Sequence, residues 1–280
     1  SQPACVVNCA SYDRAGARHD ITLAQISDVL AVDDGRFVWV GLYEPDASLL
    51  DVLQEEFGLH DLAVEDAHNA HQRPKLEAYG HSLFIALHTA QRVDGQLRFG
   101  ETQVFVGPRF LVTVRHGASL SYAPIRQRLE RDPESLAHGP MSALHAVLDF
   151  IVDNYQPIVA DLQQELDQLD QSVFAEDYSR RTLRRLYQLG KDLVRMRMAV
   201  APLQDILGQL LRSQAVPVPA EEAPYFGDVL DHAKRLGDTL DVLREMAGAA
   251  MNVHLSLATI GQGEIVKRLA GWAALLAAPT

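Results

Sequence analysis

One stretch limits the possible folds more than any other. From Phe226 onward, Phe226, Val229, Ala233, Leu236, Leu240, Leu243, Ala247, Ala250, His254 and Leu257 follow one another at alternating steps of three and four residues. That is the seam of a supercoiled helix. No proline interrupts the chain between Pro224 and Pro279, so one helix over 225–278 is predicted, about 80 Å long at 1.5 Å per residue. Such a helix needs partners for its apolar stripe. It lies either in a bundle with other helices of the same chain or in a stalk shared between copies, and its length favours the stalk. Alanine and histidine within the seam point to closer packing than a leucine zipper allows.

The sequence before this helix has two unlike parts. Residues 4–120 mix short strands and helices. FVWVGL (37–42) reads as a buried strand, and Asp46 caps an amphipathic helix that runs to Phe57 and stops at Gly58. Asp61 caps a second short helix through Asn69, and Pro74 returns the chain to extended structure. Residues 76–90, 97–107 and 109–116 have the apolar character of strands, with turns at Val93-Asp94-Gly95 and Gly107-Pro108. After residue 120 the strands give way to helices, over about 124–131, 140–175 and 181–213. The proline-rich 216–224 then turns the chain into the long helix. The fold class is therefore α+β: an N-terminal α/β/α domain (1–138), a helical hairpin (139–223) and a very long stalk helix (224–268).

Charge is distributed as unevenly as hydropathy. Between Asp149 and Tyr178 stand eight acids and no Lys or Arg, whereas Arg180 to Arg197 holds seven basic side chains and one acid. Two successive helices of opposite sign form an antiparallel hairpin laced by ion pairs most simply; an acidic helix lying near a site that concentrates cations is the functional alternative. The net charge of −12 argues against non-specific nucleic-acid binding, because nothing replaces the counter-ions on phosphates. Cys5 and Cys9 have no second ligand pair at zinc-site spacing and read as two reduced thiols. The final LAGWAALLAAPT (269–280) carries no charge and follows Lys267 and Arg268, like the start of a membrane helix behind its basic flank.

Two polar clusters hold chemistry. HDLAVEDAHNAHQRPKLE (60–77) brings together His60, Asp61, Glu65, Asp66, His68 and His71. Its spacing matches no zinc-hydrolase signature, and the adjacent carboxylates Glu65 and Asp66 suit a hard cation such as magnesium. PYFGDVLDHAK (224–234) opens the long helix with Asp228 and Asp231, three apart on one face, and His232. Nucleotide-binding loops, nucleophile elbows and catalytic triads have no counterpart in the sequence, so an enzyme is not expected.

These clusters resemble the CorA family of magnesium and cobalt channels. VEDAHNAHQRPKLEAY (64–79) is similar to the family's LEDI-x-N-x-HQRPK stretch, PYFGDVLDH (224–232) to its PYFRDVYDH, and LDFIVDNY (148–155) to its acidic helix start. HSLFIALHTA (81–90) and EIVKRLAGWAALLAAPT (264–280) also match. The resemblance implies a funnel-shaped cytoplasmic domain, a homopentamer in the full-length protein, and a stalk that continues into the membrane as the pore helix, here truncated. Alone, without the membrane part, the chain is expected to be monomeric or weakly associated.

It further implies that Mg2+, with Co2+ as a second ion, binds between copies. An aspartate of the α/β/α domain (Asp66) would meet an aspartate on the next stalk (Asp228), with Glu65 and Asp149 at a looser second site. Val266 and Leu269 would stand near the inner constriction of the pore. Gly227 departs from the family's Arg, and Gly263 from a frequent Asn. A zinc-transporting relative and a soluble coiled-coil scaffold are the alternatives.

Overall fold

A computed structural model describes residues 3–68, 73–173 and 180–277. In chain order these form β1 (Val6–Tyr12), β2 (Arg18–Asp20), α1 (Ile26–Ala31), β3 (Phe37–Tyr43), α2 (Ala47–Phe57), α3 (Asp61–His68), β4 (Lys75–Tyr79) and β5 (Ser82–Val93). There follow β6 (Gln96–Gly107), β7 (Phe110–Gly117), α4 (Ala123–Glu130), α5 (Pro133–Ala137), α6 (Pro140–Val173), α7 (Arg180–Leu210) and α8 (Ala223–Ala277). The chain divides into two compact units, one of residues 1–158 with 198–237 and the other of 159–197 with 238–280.

In the first unit seven strands form one sheet in the order β2-β1-β3-β7-β6-β5-β4. Every pairing is antiparallel except β3 with β7, where Val38 lies opposite Phe110 and Leu42 opposite Val114. That parallel pair is joined by a long connection through α2, α3 and the strands β4–β6, since parallel strands cannot be joined by a tight turn. Val38, Val40, Leu42, Phe84, Ala86, Phe105, Val112 and Val114 point to one face of the sheet. There they meet Leu49, Leu50 and Leu53 of α2 and Ala63, Val64 and Ala67 of α3. The other face carries Leu83, Ile85, Leu87, Val104 and Leu111, all buried. Its cover includes the first part of α6: Asn154 donates its Nδ2 to the carbonyl of Ala90 at 2.6 Å, and the Tyr155 hydroxyl donates to the carbonyl of His88. The α/β/α layering is as expected.

Local chemistry explains the ends of the elements. Asp46 accepts a hydrogen bond from the Leu49 amide at 2.9 Å, and Gly58 closes α2 in the left-handed conformation. Asp94 and Gly95, both at positive φ, make the two-residue turn between β5 and β6. The run 76–90 reads as continuous strand in the sequence but is two strands, because Gly80 at φ 59° folds β4 back on β5. β1 leaves little mark in the sequence, since VVNCASY has too little alternation to stand out from its surroundings, and β2 and α1 are only three and six residues long.

The seam of α8 is buried within the chain from Phe226 to His254, and its last member, Leu257, is exposed. In the first unit Phe226, Val229 and Ala233 are almost wholly covered, the Phe226 ring meets His145 of α6 at 5.3 Å, and Gln204 of α7 donates to the Ala233 carbonyl at 2.9 Å. In the second unit Leu240, Leu243, Ala247 and Ala250 of α8 are buried, as are Leu186, Leu189 and Leu193 of α7, and Arg197 of α7 is bound to Asp241 at 2.9 Å. Glu165 and Arg185 pair at 3.0 Å between α6 and α7, a bond of the kind the opposite charges of the two segments implied. From Phe226 to His254 the heptad pattern therefore packs inside the chain, beside other helices of the same copy.

Phe226→Ala should accordingly cost about 3–5 kcal/mol, while Val242→Ala on the exposed side of α8 should stay within about 0.5 kcal/mol. Urea unfolding of the two variants followed by circular dichroism checks both values.

Candidate metal centre

The packing of α6 against the start of α8 sets side chains at fixed points. His145 of α6 makes edge-on ring contacts with both Tyr225 and Phe226 of α8, at 5.9 and 5.3 Å. One and two helical turns further along α6, at i+4 and i+8, come Asp149 and Asp153, which share the face of His145. Along α8, Asp228 and His232 also stand four apart. The result is a cluster in which ligand atoms of Asp149, Asp153 and His232 lie within 4.8 Å of one another. Asp228 adjoins it, its Oδ2 standing 3.7 Å from His232 Nε2.

The electrostatics of the cluster are unfavourable without a cation. Asp153 is still reached by solvent, yet its carboxyl is held above the usual range. Desolvation is the first cause and the charge of Asp149 the second; His232 and Arg128 oppose the shift, and Asp228 adds to it. His232 Nδ1 is buried with no hydrogen-bond partner, although a buried ring nitrogen normally has one. Carboxylates that repel one another and an imidazole nitrogen without a partner make a mixed oxygen and nitrogen donor set. Such a set fits a divalent cation.

The residues expected to bind metal fall in two places. Asp149 and Asp228 come together here. Asp66 does not belong to this cluster: it lies on α3, about one-fifth exposed, with Lys75 Nζ 2.6 Å from its Oδ2. Lys75 also reaches Glu77 at 3.1 Å, and Glu77 accepts a hydrogen bond from the Tyr79 hydroxyl at 2.7 Å. Partial burial works against the charge on Lys75, but its bonds to Asp66 and Glu77 outweigh that and raise its pKa. Glu65 is exposed on α3, and His71 lies outside the described residues. Val266 and Leu269 are exposed on the last turns of α8.

Asp153 does not stand out in the sequence, whereas His232 lies in the same cluster of the sequence as Asp228. Of the two residues expected beside Asp228, His232 turns to Asp149 and Asp153, while Asp231 is exposed and reaches Lys234 at 3.4 Å. The signal that would have found the cluster is the pair of four-residue spacings, Asp149 to Asp153 and Asp228 to His232, on two helices.

Residues 34–280 match the family described as CorA-like Mg2+ transporter protein. The chain belongs to that family. Its members are transporters, not enzymes. The cobalt/magnesium transport protein CorA of Thermotoga maritima is 28% identical over 225 residues, covering 78% of this chain and 64% of that protein. The solved structure of the CorA magnesium transporter from Methanocaldococcus jannaschii superposes with a TM-score of 0.75 at 20% identity, covering 94% of this chain and 81% of that one. The ZntB cytoplasmic domain from Vibrio parahaemolyticus has the same fold, with a TM-score of 0.71 at 12% identity, covering 92% and 99%. The fold is thus common to a CorA and a ZntB protein and does not select an ion. No helix among the described residues is long and apolar enough to cross a membrane.

Replacing Asp153 by Asn removes one repelling charge. Metal-free D153N should melt about 1–2 °C higher than wild type at pH 7. A carboxyl whose pKa is raised in the folded state gains relative stability when protonated. The gap should therefore close as the pH falls through the titration of Asp153, which scanning calorimetry in chelator at several pH values reads directly.

Proposed function

We propose that this chain is the cation-sensing part of a CorA-type channel for divalent cations, and that its carboxylates gate the pore by taking up Mg2+ between copies. The single observation that carries the reading is the Asp149, Asp153 and His232 cluster with Asp228 beside it. Its crowded like charges and buried, unused imidazole nitrogen favour a bound cation. Asp66 and Glu65 on α3 of one copy would complete the coordination from across an interface. Asp228 would face them from α8 of the next copy, with Asp149 close by.

The gating argument is electrostatic. Carboxylates on neighbouring copies repel until a divalent cation lies between them. With the cation present, Asp66 and Asp228 hold the copies in one symmetric arrangement, which is favoured by as much as its cation affinity exceeds that of the alternatives. Loss of the cation leaves those same aspartates pushing the copies apart. Ample internal Mg2+ would then close the channel, and shortage would open it. The full-length protein would be a homopentamer in the cell membrane, with this chain on the cytoplasmic side like its ZntB neighbour. α8 would lead into the bilayer, with Val266 and Leu269 near the narrow inner end of the pore.

Which ion is preferred follows from the donors. Carboxylates alone suit Mg2+, which keeps several waters. The His232 imidazole adds a nitrogen donor that cobalt and zinc accept more readily, so Co2+ as a second ion has a structural basis, and a zinc-transporter-like member is the second reading.

Sedimentation mass and melting temperature titrated with MgCl2 test the proposal on wild type and on Asp66→Ala/Asp228→Ala. Wild type should gain both mass and stability, by about 2.7 kcal/mol at a hundred times the dissociation constant, and the double variant neither. Equal responses of the two proteins would refute these aspartates as the sensor, and a response to Zn2+ but not Mg2+ would favour the zinc-transporting relative.

A further inference from the structure

The first residue of β4 places a permanent positive charge against Asp66. Lys75, Glu77 and Tyr79 alternate along β4 and so point to one face of the sheet, the face against which α3 packs. Lys75 Nζ stands over the Phe84 ring, 5.9 Å from its centroid. Its ammonium ends between two carboxylates, 2.6 Å from Asp66 Oδ2 and 3.1 Å from Glu77 Oε2. Glu77 is itself anchored by the Tyr79 hydroxyl on that same oxygen, and Tyr79 stacks on His60 at 4.6 Å. The ammonium is therefore held from three sides. Lys75 and Asp66 keep only 28% and 22% of their side-chain surface exposed, so water screens their charges incompletely.

We infer that Lys75 is a tethered counter-ion for Asp66, and that it sets the cation concentration at which the candidate site fills. The inference rests on the reading of Asp66 as a cation ligand. A divalent cation arriving at Asp66 meets a carboxylate already neutralised by the chain's own ammonium. The ion must either displace Lys75 toward Glu77 or share the carboxylate with it at short range. Both cost electrostatic energy, and both weaken binding. Glu77 acts in the opposite sense, because it gives the displaced ammonium a second carboxylate to retreat to. The three residues make a local exchange: one internal cation released from Asp66 for each external cation bound, with the charge kept inside the same pocket.

Two simpler roles for Lys75 predict different results. If it only braces α3 against β4, its removal lowers the stability of the metal-free protein and leaves the cation midpoint where it was. If it orients Asp66 for binding, its removal weakens the cation and moves the midpoint up. A tethered competitor predicts the reverse shift.

The experiment titrates MgCl2 at constant ionic strength into the whole chain and reads the midpoint of the rise in melting temperature and sedimentation mass. Lys75→Met keeps an apolar stem and removes the charge. Its midpoint should fall about three- to tenfold. Lys75→Arg keeps the charge and should stay within about twofold of wild type. Glu77→Gln removes the second carboxylate and should move the midpoint up. Asp66→Ala is the control for the site itself. If it responds as wild type does, or if wild type does not respond at all, the reading of Asp66 as a ligand fails and the inference with it. If Asp66→Ala abolishes the response while Lys75→Met leaves the midpoint unchanged or raises it, the role of Lys75 alone is overturned. Each midpoint is referred to that variant's own metal-free melting temperature, so a loss of basal stability does not obscure the result.

Discussion

The apolar stripe of α8 must be covered, and the positions of the candidate ligands follow from how that is done. A fifty-five-residue helix cannot bury its own stripe, and in the first unit the start of α8 is covered within the chain. Once Phe226 is seated against His145, the helix brings His232, six residues or nearly two turns on, beside Asp149 and Asp153. The chemistry of the cluster thus follows from apolar packing one to two turns away. Rigid elements place these groups, which is what a site needs if its geometry is to be reproducible.

Charges in this molecule are handled in two contrasting ways. Around Tyr12 they are paired: Glu130 accepts from the Tyr12 hydroxyl at 2.8 Å and from Arg18 at 2.6 Å, and Arg18 reaches Asp20 as well. Burial and Glu130 push the Tyr12 phenol well up, so it stays neutral and serves only to fix β1 against α4. At the candidate centre desolvation, and after it the charge of Asp149, raise the proton affinity of Asp153, and a buried imidazole nitrogen of His232 has no partner. A folded protein tolerates such an arrangement where something outside the chain relieves it. Asp66 is an intermediate case, since its carboxylate has a partner, Lys75, that is itself shared with Glu77.

Much of the fold was legible in the sequence because the signals were local. The cap of α2 needs only Asp46 and Gly58, the β5–β6 turn only Asp94 and Gly95, and the lengths of α6, α7 and α8 only their unbroken periodicity. β1 was not legible. VVNCASY becomes a strand because β3 lies beside it, with Cys9 opposite Val40 and Tyr12 opposite Phe37, and a partner thirty residues away leaves no mark on the segment itself. Of the candidate site, the residue types and two of the acids were readable from resemblance. Asp153 was not, since on an acidic helix nothing in the sequence separates an acid that meets another helix from one that meets water.

The sequence by itself determined that this chain has an α+β domain, that long helices of opposite charge follow it, and that the strings around Asp66 and Asp228 belong to the CorA-like family. Those properties reside in composition, periodicity and short motifs. Tertiary structure decided which partner the heptad seam takes, which acids of α6 meet α8, and that Lys75 is the cation on Asp66. Each of these depends on groups far apart in the chain. A period of three and four fixes which residues share a face of a helix, but only the packed molecule settles what that face touches.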